Sequence, residues 1–450
     1  MADNSLTIFM YPWFAMGHLI PYLHTANKLA ARGHRVFLVV PPKTLSNLEK
    51  SNLHPDFIKL IPLPLPHVEG LPPHIESSTE IPIHLQPLLR YAMDLTEPTV
   101  ESLLQEIKPH FTFSDMMCWV PFLAHRLGIK AIHYAPVSPA SMGFLLSERP
   151  SMESHMNNPP GFPPSIKLYK HVIRRLEVFD SEKEVGSGLT IKQRLRTSIC
   201  ESDAIGFKTC RETEGPYIEY IENNFKKPVL LAGPIVPKSP SSFLEEKWER
   251  WLDKFRPKSV IYCAFGSEAI LQKDQFQELV LGLERSGHPF FAALKPPFGS
   301  DTVEEALPEG LKERTQEKGV VYGGWVQQQL ILKHPSVGCF VTHGGYASLW
   351  EGLVSACQLV VLPHVGEHYI QAKVLSAHLK VGVEVEKGDE DGLFTKKGVN
   401  EAIRAVMEVD NEIGKEVKRN HDKLRDFLLS KGLGDSYIHG FVQKMRSLLE

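Results

Sequence analysis

The chain has 450 residues, with 50 Lys and Arg against 53 Asp and Glu and a formal net charge of -3, a balance that sets up no strong field for nucleic acid or an anionic membrane. A 42 % hydrophobic fraction is ordinary for a globular protein, and no apolar run approaches the roughly 18 residues of a membrane span. The length suits two or three domains with large cores.

The first residues, MADNSLTIFMYPWFAMGH, lack a basic leader and are broken by Pro12, Gly17 and His18. They read as a first strand and its turn rather than a secretory signal, so a cytoplasmic protein is expected. LTIFMY, RVFLVVP, FIKLIPLP, FTFSD, KAIHYAP, DAIGFK and PVLLAG then read as strands alternating with helical stretches, the pattern of a doubly wound α/β domain. The helix after the first strand starts near Gly17, where Leu19, Leu23, Ala26, Leu29 and Ala30 form an apolar face. Residues 149–165 are rich in Pro, Ser and Asn, a long surface loop of the kind that shapes binding pockets.

Around 233–242, GPIVPKSPSS has the composition of an extended linker. Alternation then resumes with SVIYCAFG, FFAALKP, GVVYGG, VGCFVTH, QLVVLP and VGVEVE, and the chain closes on a helical stretch near 435–449. The six cysteines (Cys118, Cys200, Cys210, Cys263, Cys339 and Cys357) show no Cys-x-x-Cys spacing. They read as buried thiols of a reducing compartment.

His18 follows the first strand, where ligands of an open parallel sheet bind, and can take a proton near neutral pH. A solvated turn histidine is the plainer reading. Asp115, in FTFSDMMCW, ends another strand on the same edge. It could orient the imidazole or simply cap a helix, and the residues alone leave these even. Ser267, in CAFGSE, could bind a phosphate or cap a helix.

The segment Trp325–His368 reads as helix, buried strand, glycine-softened turn, helix and strand. His343, Gly344, Gly345 and Ser348 thereby stand where a strand ends and a helix begins, a place that favours phosphate. Glu351, about two turns on, can accept ribose hydroxyls, and Trp325 offers a flat face for a base. These features describe a nucleotide site. G-x-G-x-x-G and Walker motifs are missing from the sequence. His364-Val365-Gly366-Glu367-His368 matches the H-x-x-E-H zinc pattern, but Pro363 and Gly366 oppose the continuous helix which that chemistry needs.

The segment also resembles the signature box of the plant UDP-sugar-dependent glycosyltransferases of family 1, with its opening Trp325 and closing Glu367 and His368. The histidine turn, the Ser-Asp, the Gly-Pro linker and the Phe-Gly-Ser motif fall in the same order along nearly the whole chain. The resemblance implies a GT-B fold, two Rossmann-like doubly wound parallel-sheet domains facing across a cleft. An acceptor-binding domain is expected at 1–235, a linker at 236–245, a UDP-sugar-binding domain at 246–430, and a helix at 431–450 packing back on the first domain.

It further implies His18 as general base with Asp115 behind it, in an inverting transfer that needs no metal or other cofactor. The donor UDP-sugar would contact Ser267, Trp325, the Val326 backbone, Gln328, His343, Gly345, Tyr346, Ala347, Ser348, Glu351, Glu367 and His368. Four departures from the usual box stand out. Gly344 replaces Cys; Tyr346 and Ala347 replace Trp and Asn, keeping an aromatic wall and losing a hydrogen bond; His368 replaces Gln.

The last change points first to UDP-rhamnose, then to UDP-galactose or UDP-glucose. The branch resembled adds a sugar to the sugar of a flavonoid or phenylpropanoid glycoside. Trp13, Phe14, Met16, Trp119, Ser138 and Phe144 are candidate acceptor contacts, with core packing as the even alternative. A monomer without nucleic-acid or membrane partners is expected. Transfer directly to an aglycone hydroxyl, or a non-catalytic nucleotide-sugar-binding protein, are the other readings.

Overall fold

The computed structural model describes residues 5–148, 158–163, 166–234, 243–266 and 269–450. Most of the expected linker, much of the 149–165 loop and Ser267 lie outside these.

Two parallel sheets organise the chain. The first is built from β1 (Thr7–Tyr11), β2 (Arg35–Val40), β3 (Ile58–Pro62), β4 (Phe111–Ser114), β5 (Lys130–Ala135), β6 (Ala204–Phe207) and β7 (Val229–Leu231), in the order β3-β2-β1-β4-β5-β6-β7. The second comprises β8 (Val260–Ala264), β9 (Phe290–Ala293), β10 (Gly319–Tyr322), β11 (Val337–Thr342), β12 (Gln358–Val361) and β13 (Gly382–Glu384), in the order β10-β9-β8-β11-β12-β13.

Both faces of each sheet are covered, which is why central strands such as β8 and β11 read as unbroken apolar runs. The period of two still shows in which core each residue enters. Ile8 and Met10 of β1 enter one core, while Phe9 and Tyr11 enter the other. In β8, Val260 and Tyr262 face one core, and Ile261 and Cys263 the other. At the β11–β8 pair the register shifts between Val337 and Cys339. A Cβ on the intervening Gly338 would lie 2.2 Å from the Lys258 carbonyl oxygen, so only glycine fits.

The helix Leu433–Ser447 lays Ile438, Phe441, Val442 and Met445 into the same core as Ile8 and Met10. The spacing is that of one helical face. Lys444 Nζ donates to the Val229 carbonyl at 2.8 Å, and Arg32 pairs with Asp435 at 2.7 Å. The C-terminal end of the chain is thereby fastened to the first sheet.

In each sheet the strand order reverses beside its first strand. β1 lies between β2 and β4, and β8 between β9 and β11. Crevices form at the carboxyl ends of strands at such points.

Candidate active site

The first crevice holds His18 and Asp115. β1 pairs with β4 so that Tyr11 lies opposite Ser114, which brings the two following turns together. Asp115 is 2 % exposed. Its Oδ1 accepts the Trp13 and Met116 N–H groups at 2.8 and 2.7 Å, and its Oδ2 lies 2.7 Å from His18 Nδ1. His18 is the third residue of the helix Met16–Ala30 and is partly exposed. With Nδ1 engaged, Nε2 is the nitrogen left for a substrate hydroxyl. A buried carboxylate of this kind fixes the tautomer and stabilises the imidazolium.

The second crevice lies past β8 and β11. The helix Tyr346–Val354 begins after Gly345, with no side chain capping its first N–H groups. Those donors and the helix dipole favour an anion. Gly344 has φ +88°, and a Cβ on Gly345 would fall 2.4 Å from His343 Nε2. The His343 ring is thus held against bare backbone. Burial pushes its imidazole down to about 4 despite a hydrogen bond with Ala264. His368 stands edge-on to His343, with centroids 4.9 Å apart. Burial, then its histidine neighbours, push it down to about 3. Both rings are therefore neutral at physiological pH, and the Nδ1 atom of each is enclosed without a partner among the described residues. That leaves His368 at most one nitrogen for a sugar hydroxyl.

Glu351, one helical face further on, is gripped by two glutamines. Gln328 Nε2 donates to its Oε2 at 2.6 Å and to Ser348 Oγ at 3.2 Å, while Gln329 Nε2 donates to its Oε1 at 2.9 Å. Tyr262 in turn donates to Gln328 Oε1 at 3.2 Å. Each carboxylate oxygen keeps a lone pair for a ribose hydroxyl. Gln329 and Tyr262 were not singled out in the sequence, because three consecutive glutamines look like a solvated helix start. Trp325 is 80 % exposed, presenting its ring face, whereas the Val326 side chain is buried and its carbonyl accepts the Gln328 N–H. Ala347 is exposed, and Glu367 stands at the N-cap of the helix His368–Lys373.

That helix begins at His368, and Gly366 before it has φ +43°. His364 and His368 therefore do not share a helical face. Among the described residues no three His, Cys, Asp or Glu side chains converge as a metal-binding set.

The acceptor candidates divide. Met16 and Trp119 are half-buried at the rim. Phe14 is fully enclosed, Phe144 is packed edge-on against Phe162, and Trp13 is 5 % exposed. Ser138 is buried and spends its hydroxyl capping Pro139–Leu146 through the Ser141 N–H. For these four the packing reading replaces the acceptor one, because little or no side-chain surface is left for a ligand.

Trp13 and Trp119 are instead tied to a buried ionic array. Arg90 pairs with Glu184 and stands over the Trp13 ring. Arg194 bonds Glu184 at 2.7 Å and Asp94 at 2.9 and 2.6 Å, and Asp94 accepts the Trp119 indole N–H at 3.0 Å. Nothing local in the sequence announces this array, since Arg90 and Asp94 of the helix Gln86–Asp94 meet Glu184 and Arg194 from far along the chain.

Comparison with known proteins follows the same lines. The family described as UDP-glucoronosyl and UDP-glucosyl transferase matches residues 225–423. The chain is 51 % identical to the cyanidin 3-O-galactoside 2''-O-xylosyltransferase FGGT1 of Actinidia chinensis var. chinensis, over 100 % of both chains. It is 49 % identical to an anthocyanidin 3-O-glucoside 2''-O-glucosyltransferase of Ipomoea nil, over 98 % of this chain and 97 % of the relative. Its fold matches that of a Polygonum tinctorium UDP-glucosyltransferase capable of glucosylating indoxyl with a TM-score of 0.81, at 22 % identity and over 100 % of both chains. The two-sheet arrangement is the GT-B fold. No helix among the described residues is long and apolar enough to cross a membrane.

Proposed function

The chain belongs to the plant family 1 UDP-sugar-dependent glycosyltransferases, and on that footing we propose that it moves a sugar from a UDP-sugar to a sugar hydroxyl of an anthocyanidin or related flavonoid 3-O-glycoside. The relatives named above are xylosyl- and glucosyltransferases. They support UDP-xylose or UDP-glucose as donor and give no support to the UDP-rhamnose expected from His368, which is set aside.

The observation that carries the mechanism is the 2.7 Å contact between His18 Nδ1 and Asp115 Oδ2 at a strand-end crevice. The acceptor hydroxyl gives its proton to His18 Nε2 as its oxygen bonds to the anomeric carbon of the donor. The bond from that carbon to the diphosphate oxygen breaks on the opposite face, inverting the configuration and releasing UDP. Asp115 stabilises the imidazolium that forms. Charge growing on the diphosphate meets the uncapped N–H groups at the start of Tyr346–Val354, and such preorganised dipoles need no rearrangement at the moment of reaction. In this reading residues 1–235 carry the acceptor chemistry and residues 246–430 hold the donor.

The test is a competition among UDP-xylose, UDP-glucose, UDP-galactose and UDP-rhamnose for an anthocyanidin 3-O-glucoside, read by fragmentation mass spectrometry. A pentose or hexose gained on the existing sugar supports the proposal. A deoxyhexose gain restores the rhamnose donor. Transfer to the aglycone alone, or no transfer from any donor, overturns it.

A further inference from the structure

We infer that the Tyr346 hydroxyl and Lys208 form a strut between the diphosphate cradle and the helix that carries the base, and so act as positioning residues for the transfer. The inference rests on the transfer reading above. Tyr346 is the first residue of Tyr346–Val354, the helix whose N-terminus faces the leaving group. Its ring is fixed edge-on against Trp350, 5.9 Å away. Its hydroxyl donates to the Lys208 carbonyl at 3.1 Å, with the Thr209 and Glu214 side chains also against it. Lys208 follows β6 of the first sheet, so this bond crosses from one sheet's framework to the other's.

The strut continues inward. Lys208 is 2 % exposed, and its Nζ lies 2.8 Å from His24 Nδ1. His24 belongs to Met16–Ala30, the same helix that positions His18. Burial, with Lys28 nearby, pushes the Lys208 amine far below the usual ammonium range. In this dry setting the need of the Lys208 amine for a hydrogen-bond partner holds the Lys208–His24 contact in place. A continuous path runs from the start of the diphosphate helix, through Tyr346 Oη, the Lys208 main chain and side chain, to the helix of the base.

The surroundings are built around the same crossing. Thr209, the next residue, donates to Glu214 Oε2 at 2.6 Å, and Glu214 is buried beside Tyr346 at a non-helical break in Arg211–Phe225. Gln371 reaches Ser141 Oγ at 3.4 Å, and Lys170 and Arg174 reach Glu390 at 2.6 and 2.8 Å, further polar crossings away from the diphosphate helix. Displacing a nucleophile from its reacting carbon by even an ångström costs large factors in rate. A rigid link between base and leaving-group cradle therefore acts on turnover more than on donor affinity.

The experiment uses the full-length enzyme. Tyr346→Phe keeps the ring and removes one hydroxyl; Lys208→Met keeps the stem and the main-chain carbonyl but removes the contact with His24. Each variant is measured for kcat, for UDP affinity by calorimetry, for Tm, and for the ratio of UDP-sugar hydrolysis to transfer. The expected result is kcat lower by about ten-fold in each, with UDP affinity unchanged and hydrolysis raised relative to transfer. The double variant should be no worse than the single ones, because both break one path. Unchanged kcat in Tyr346→Phe, equal loss of kcat and UDP affinity, or strictly additive effects would each overturn the strut. Wild-type transfer in the same assay tests the underlying reading separately.

Discussion

Asp115→Asn separates the catalytic role proposed for this carboxylate from its structural one. Asparagine keeps an oxygen for the two backbone N–H groups that Asp115 accepts at 2.8 and 2.7 Å. It places an NH2 group where Oδ2 now lies 2.7 Å from His18 Nδ1. Nδ1 must then accept, the ring proton moves to Nε2, and no lone pair remains for the substrate hydroxyl. In a Ser-His-Asp site the corresponding exchange lowers kcat by about ten-thousand-fold through the same change of tautomer. That is about 5 kcal/mol of barrier, and the same order is expected here because carboxylate and imidazole share that geometry.

Asp115→Ala should behave differently. It leaves two enclosed N–H groups unsatisfied, at about 1–3 kcal/mol each, and so lowers stability as well. The assay is initial-rate transfer by liquid chromatography, with Tm and UDP affinity measured on the same preparations. The Asn variant should lose transfer while keeping both other quantities, and the Ala variant should also melt earlier. An Asn variant retaining more than about one per cent of wild-type turnover would refute the tautomer argument.

Trp325→Ala should leave Tm unchanged, since the ring is 80 % exposed, yet weaken UDP binding by about 1–3 kcal/mol through lost stacking; titration calorimetry reads both claims against wild type. Arg194→Met should cost about 3–5 kcal/mol of stability, because Glu184 and Asp94 would be left facing each other without the guanidinium that bonds both. An unchanged Tm would contradict that. Burial raises the Glu214 carboxyl from its ordinary 4.5 to about 7, so the fold favours the neutral form. Its stabilising effect is full below pH 4.5 and is lost as pH rises to about 7, a change of about 3 kcal/mol. Glu214→Gln should flatten that part of the Tm–pH curve, and parallel curves for the two proteins would dismiss it.

What could be read from the sequence was what is local. Central strands such as β8 and β11 lie in apolar runs, because a strand buried on two faces must be apolar throughout, whereas the edge strands β3 and β13 carry Lys59 and Glu384. His343 to Glu351 could be assigned because strand end, turn and helix start are contiguous. Even His18 and Asp115, far apart in the chain, could be brought together by placing both at strand ends on one sheet edge. Side-chain direction within a turn has no such signal. Phe14 and Met16 follow the same strand, yet one is enclosed and the other reaches the rim. Tyr346 could be read as an aromatic wall, but not as a hydroxyl bonded to a carbonyl 138 residues away. The Arg90–Glu184–Arg194–Asp94 array was equally hidden, because its partners meet only after the chain has folded.

This division between local and distant information has a consequence for how the enzyme can fail. The proposed base stands at the reversal point of the first sheet and the proposed phosphate cradle at that of the second, each resting chiefly on cores of its own, with one further cluster (Phe144, Tyr217, Tyr369, Ile370) shared. Damage to either core lowers the folded fraction, and damage at either strand end removes one half of the chemistry. Neither kind of damage changes how the two halves are spaced. Groups that cross between them can do that, and the crossing made by Tyr346 ends on the residue whose side chain contacts the helix of the proposed base. Loss of turnover with donor affinity and Tm intact is therefore the signature to expect at the crossing residues, whereas a variant within one core should move Tm first.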